Sequence, residues 1–347
     1  LGQLGHRYGG RAPGERVIGE RVHRAPKQRV ERDLCPGPRL LPPEGVHWPE
    51  LSSDDAQSRF AFAGLASPWL ARDGAGFTVD FGWLGALPVR EGFERYGAQA
   101  WFDADRRLVR IHWSHGGRDL SPGDPAWEHA KFAWRSSVLV GTALAHHLWG
   151  LHLYAANRVV TATREQLPPE HPIRLLLKPF TFRTTAINHR AAAVLVVPRG
   201  LMHRAFALTW DGLLAALRRG EEDGRLRPVR ARLADRGTLD LEDFPYGSDA
   251  VALEDAIRRY VDRYCALYVA DDISDPALLR WWAAQGDLVS GPLSTRVDLV
   301  EAITAFVFAA VGQHRHLGAL REYLLDPSFV SGRIRAGSEQ NDQQGSR

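Results

Sequence analysis

Cysteine is scarce. Two residues in 347, Cys35 and Cys265, exclude a disulfide framework and any cysteine-cluster metal site. Lysine is almost as rare: Lys27, Lys131 and Lys178 stand against forty-one arginines, a skew that points to a GC-rich genome more than to a function. Methionine occurs once, at Met202, and the chain opens on Leu1, so a fragment, a processed form or a misread start is expected. Long apolar runs are missing. The longest, at 138–145 and 302–311, fall short of the roughly 20 residues that span a bilayer. Residues 1–30 hold no apolar segment of the secretory kind. These absences predict a soluble, cytoplasmic protein with no transmembrane segment. Peripheral membrane contact and oligomeric state stay open.

Strong charge of one sign is also lacking. The net charge is +3, and residues 1–40 carry nine Arg/Lys against four Asp/Glu. The remainder is close to neutral, so a basic surface is not a property of the body of the chain and no nucleic-acid partner is expected. What is present is ordinary for a globular protein: 44% hydrophobic residues, 24% charged, eleven tryptophans and fourteen phenylalanines, enough for a large core.

The order of the chain gives a mainly α fold. Residues 1–45, rich in Gly, Pro and Arg, read as a disordered basic arm. Residues 46–330 read as one catalytic domain and 331–347 as a polar, frayed tail. Minor β content is expected near 77–113, with strands at 77–81 and 108–113. From Trp127 to residue 163 the sequence is apolar and free of proline, which predicts a helix buried nearly all round. Helices follow over 186–197, 205–219 and 249–270, with 220–248 as a polar loop. Asp275-Pro276 starts a short helix carrying Trp281 and Trp282, read as core anchors. A second long apolar helix is expected over 298–324.

Histidines sit inside both long helices: His146, His147 and His152 in the first, His314 and His316 in the second. A buried imidazole must be hydrogen-bonded or bound to metal. His147 and His152 are five apart, so a regular α-helix would set them about 140° from each other. A π-bulge would bring them together, and such bulges concentrate at functional sites. Taken alone the spacing is a weak signal, more often that of core or helix-end histidines with ordinary partners.

The run HLWGLHLYAANRVVTATREQLPPEHPIRLLLKPF, residues 147–180, resembles the iron-binding stretch of the lipoxygenases. That family pattern has two histidines separated by four residues, an IATxRxL-like segment (here 161–167) and HPI-x-x-LL-x-P (here His171 to Pro179). Trp127, Ala130 and Lys131 are similar to its W-x-x-AK, and Ile187, Asn188 and Ala191 to its IN-x-x-A. Phe244-Pro245-Tyr246 with Asp249 resembles YPY-x-x-D. Tyr264, Tyr268, Asp275, Leu278, Trp281 and Trp282 follow its next block, and Asp54-Asp55 with Pro68 echo its DD…NP. The resemblance covers roughly 50–325 and is to a compact, bacterial-type catalytic domain.

The resemblance implies a non-haem iron dioxygenase, with one Fe per chain. It would insert O2 into polyunsaturated fatty acids holding a 1,4-pentadiene unit and give lipid hydroperoxides. It implies His147, His152 and His314 as metal ligands, with His146 and His316 packing on other helix faces. Leu148, Phe182, Ala191 and Leu195 become candidates for the substrate-channel wall. Ala191 falls at the family's stereocontrol position, where Ala goes with S-configured product. Asp249 is expected to cap and Asn188 to make a buried hydrogen bond. Two departures are visible. The family's asparagine four residues after the third histidine is Gly318 here, an open or water-filled position. The chain also ends 33 residues after His314, so the terminal carboxylate that binds iron in the family is not expected. The alternative reading is a catalytically inactive remnant of the fold, or a lipid-binding protein.

Overall fold

The computed structural model describes residues 53–323 and 327–338. The arm expected over 1–45 and residues 339–347 of the expected tail lie outside the described residues. Helix α1 (Asp54–Phe62) starts where Ser53 Oγ accepts from Ala56 N at 3.1 Å, with Asp54 and Asp55 in its first turn. Both features favour a helix N-terminus. It buries Phe60 edge-on against Trp134, with centroids 5.5 Å apart. An antiparallel meander follows: β1 (Ala71–Asp73), β2 (Gly76–Asp80), β3 (Ala98–Phe102), β4 (Leu108–Trp113) and β5 (Arg118–Leu120), paired in that order. The register sets Phe77 beside Phe102, Val79 beside Ala100, and Ala98 beside Trp113. These residues are buried, while Arg110 lies 3.8 Å over the Trp101 ring on the other face. One face of the sheet therefore seals the core, as period-two alternation requires.

The apolar run beginning at Trp127 forms one continuous helix over 127–166. It passes from α2 (Trp127–Gly141) through a π-helix (Thr142–Ala156) into α3 (Asn157–Gln166). Nearly all of α2 is buried. Its polar side chains are paired: His129 Nε2 lies 2.8 Å from Glu94, Lys131 Nζ lies 2.7 Å from Glu128 and 3.0 Å from Asp54, and Arg135 reaches Gln57 at 2.8 Å. Satisfied partners are the condition on which charges enter a core.

Around this axis stand α4 (Pro172–Leu177), α5 (Thr184–Leu195), α6 (Leu201–Ala205), α7 (Trp210–Asp223), α8 (Val229–Asp235), α9 (Pro245–Tyr268) and α10 (Pro276–Ala283). Then come α11 (Arg296–Phe308), a π-turn (Ala309–Gln313) and α12 (His314–Gly318), and α13 (Leu320–Tyr323). The run Arg296–Gly318 is long and apolar enough, by length and composition, to cross a membrane. The sequence count of unbroken apolar runs had missed it. Here Leu299, Val300, Ile303, Phe306 and Val307 are buried in the protein core.

Four expectations differ from the structure. The loop expected over 220–248 contains α8, whose seven residues offer only Val229 and Leu233 as a buried pair, too short a pattern to stand out. The second long helix stops at Gly318 instead of running to 324. Asp249 caps nothing: it sits exposed inside α9, whose N-cap is Phe244. Residues 331–338 are tied down, with Glu94 N donating to Ile334 O at 2.9 Å and Ala336 N to Gly92 O at 3.0 Å.

Candidate metal centre

The π-helix positions the first two histidines. Its i→i+5 hydrogen bonding turns residues five apart toward one face, and His147 and His152 stand with ring centroids 5.0 Å apart. Glycines let a neighbouring helix press on this wide segment: a Cβ at Gly220 on α7 would lie 2.2 Å from Ala145 O. The third histidine arrives from the other long helix. His314 opens α12 after the π-turn, its ring centroid 5.0 Å from His147 and 4.7 Å from His152. One nitrogen from each of the three lies within 4.8 Å of the others. The nearest pair is His152 Nε2 and His314 Nε2, at 2.9 Å.

Asn188 fixes the chemistry of His152. It is 1% exposed and is the one buried residue of α5. Its Oδ1 stands 3.0 Å from His152 Nδ1, while its Nδ2 donates to His152 O at 2.6 Å and to Asn157 Oδ1 at 2.8 Å. With both amide hydrogens used, Oδ1 can only accept, so His152 carries its proton on Nδ1 and directs the Nε2 lone pair at the other rings. His147 Nε2 is buried with no hydrogen-bond partner. Burial, then the neighbouring histidines His152 and His314, push the His147 pKa down to about 3. Burial lowers His152 and His314 as well. Three neutral imidazoles with converging lone pairs and one orphaned buried nitrogen are the donor set a first-row transition metal takes. The residues therefore fit an ion.

Gly318, four residues after His314, does face the group: a Cβ there would lie 3.8 Å from His147 Nε2. It brings no donor. His146 points away, packed on Trp69 at 4.6 Å and edge-on to Phe81 at 5.9 Å. His316 packs beside Tyr246, with tilted rings and centroids 5.0 Å apart. Leu148 is in the core at 5% exposure, and Ala191 and Leu195 are half-buried on α5. Phe182 is 68% exposed, under the Arg183 guanidinium, and Arg183 takes φ 60° ahead of α5. Sequence reading missed the role of Asn157, and the Gly220 contact with the π-helix carried no local signal.

Fold and site together define a helical domain in which two core helices, over 127–166 and Arg296–Gly318, present three neutral imidazoles to one point. Comparison with known proteins is consistent with that. No protein-family model matches the chain. The rat epidermal-type polyunsaturated fatty acid (12S)/(13S)-lipoxygenase is 33% identical over 225 residues, 60% of this chain and 34% of that protein. Human polyunsaturated fatty acid lipoxygenase ALOX15 is 32% identical over 228 residues, again 60% and 34%. Among solved structures, a lipoxygenase in complex with arachidonate superposes with a TM-score of 0.77 at 18% identity, over 96% of this chain and 57% of that one. The manganese lipoxygenase of Gaeumannomyces graminis does so at 0.66 and 21%, over 86% and 65%. Over about 60% of its length the chain is similar to lipoxygenases, and it has the fold of a lipoxygenase catalytic domain. It spans about a third of the length of the curated relatives it matches.

Proposed function

We propose that this chain is the metal-holding part of a lipoxygenase, a non-haem iron dioxygenase that adds O2 to polyunsaturated fatty acids with a 1,4-pentadiene unit and yields lipid hydroperoxides. The observation that carries the reading is the convergence of His147, His152 and His314 as neutral donors. The names of the relatives and the arachidonate bound to one structural neighbour support it. When bound, one iron per chain would supply the one-electron couple that opens the diene to O2.

The chain's own residues do the rest. Imidazoles held neutral by burial keep their lone pairs for the ion at physiological pH. Asn188 holds the His152 tautomer and ring plane. Ala191 and Leu195 lie three and seven residues after Asn188, on the helix face that Asn188 turns toward His152. We assign them, with Leu148 beside His147, to the wall that meets substrate.

Anaerobic loading with Fe(II), and in parallel with Mn(II), followed by linoleate-dependent O2 uptake, tests the reading. Iron-dependent uptake abolished in His147→Ala supports it; a chain that binds neither metal refutes it. A second reading, a member of the family that binds metal without turnover, is favoured by one observation: position 318 adds no donor to the three. Stoichiometric iron with no O2 uptake would select it.

A further inference from the structure

A second concavity is lined by none of the three histidines, although His146 and Gln313, the chain neighbours of His147 and His314, border it. It has a volume of about 350 Å³ and is bounded by Trp69, His146, Tyr246 and α8. Four arginines enter its lining: Arg225, Arg227, Arg232 and Arg236. The spacing explains the placement. Val229, Arg232, Leu233 and Arg236 recur at i, i+3, i+4 and i+7, so one face of α8 and its C-cap looks into the cavity. None of the described lining residues is acidic. Asp235 takes up Arg227 at 2.6 Å and the buried Glu254 accepts from Val229 N at 2.6 Å, so Arg225 and Arg232 are the lining guanidinium groups on which the site rests. Arg232 is half-buried, donates through Nη1 to Gln313 Oε1 at 2.8 Å and holds a buried Nε with no partner.

We propose that this cavity binds a phosphate-bearing anion. Guanidinium groups gathered around a concave surface with low-dielectric walls focus potential and recognise planar or tetrahedral oxyanions through paired N–H donors. Charge count selects the class. A single fatty-acid carboxylate would offset one of Arg225 and Arg232, whereas a phosphate monoester, at about −2, offsets both. The phosphate could belong to a soluble compound or to a lipid headgroup. The site is separate from the three-histidine centre and does not depend on the metal reading.

Titration calorimetry of the full chain at low ionic strength tests it, with inorganic phosphate and pyrophosphate as probes. Sedimentation with phosphatidylcholine vesicles, with and without phosphatidate, runs beside it. Arg225→Gln and Arg232→Gln are the variants; Arg225 is exposed, so its substitution leaves the fold intact, as thermal melts will check. Binding in either arm, weakened at least about tenfold by each variant and by added salt, is the expected result, and the arm that responds identifies the source of the phosphate. Absence of binding in every arm overturns the proposal. So does binding that both variants leave unchanged, or linoleate binding that responds to the variants while pyrophosphate does not bind.

Discussion

Asn188→Ala is the substitution that bears hardest on the centre. The side chain makes three hydrogen bonds, of 3.0, 2.6 and 2.8 Å, and is 1% exposed. Its removal strands the His152 Nδ1–H, the His152 carbonyl and the Asn157 side-chain oxygen. Each buried group left unpaired costs about 1–3 kcal/mol. Asn157 is half-buried and recovers part of its loss from water, so a total of about 2–4 kcal/mol is expected. Metal retention suffers separately, because His152 is no longer held in one tautomer and plane; loss of such a partner weakens a metal site by about 10–100-fold. Urea unfolding of the metal-free chain reads the first quantity, and iron transfer to a competing chelator reads the second. Asn188→Asp separates them. It keeps the acceptor for His152 Nδ1–H but turns both donors into acceptors facing oxygen. It should therefore lose stability at least as severely as Asn188→Ala while retaining iron better. Wild-type iron retention in Asn188→Ala, or iron loss as severe in Asn188→Asp, would refute the role given to this residue.

Gly220→Ala should lower stability by about 1–3 kcal/mol despite its gain in helix propensity, because its Cβ would stand 2.2 Å from a backbone carbonyl of the π-helix; denaturant melts and iron content should fall together. Gly318→Asn should fold normally, since a Cβ there meets only ordinary contacts at 3.8 Å, and should slow iron loss to a chelator by adding a donor. Cys265 is buried and its thiol is pushed up to about 11, by burial first and then by Asp262. At pH 8 its thiolate population is about a hundredfold below that of a free thiol, so peptide mapping after brief alkylation should find Cys265 unmodified in native protein and modified in urea. The sign follows: the unfolded thiol ionises first, so this group takes stability away as pH rises from about 9 to 11.

The large features of the fold were legible because their signals are long. The apolar run from Trp127 and the one ending near His314 become the two core helices, and alternation at 77–81 and 108–113 becomes β2 and β4. The three histidines that the family resemblance pointed to are the three the structure gathers. The five-residue interval between His147 and His152 required a widened helix, and fifteen residues of π-helix supply it. Short or non-local features were not legible. Helix α8 is seven residues with two buried positions. The 331–338 segment is polar, and what orders it is backbone pairing with residues 92–94, which no local pattern reveals.

Metal content of the purified chain tests the three-histidine centre most directly. After anaerobic incubation with Fe(II) and removal of excess, elemental analysis should find one iron per chain in the wild type. His147→Ala, His152→Ala and His314→Ala should each retain close to none while melting cooperatively. A wild-type chain that leaves this treatment without iron, or an His314→Ala variant that keeps it, would contradict the centre built from His147, His152 and His314.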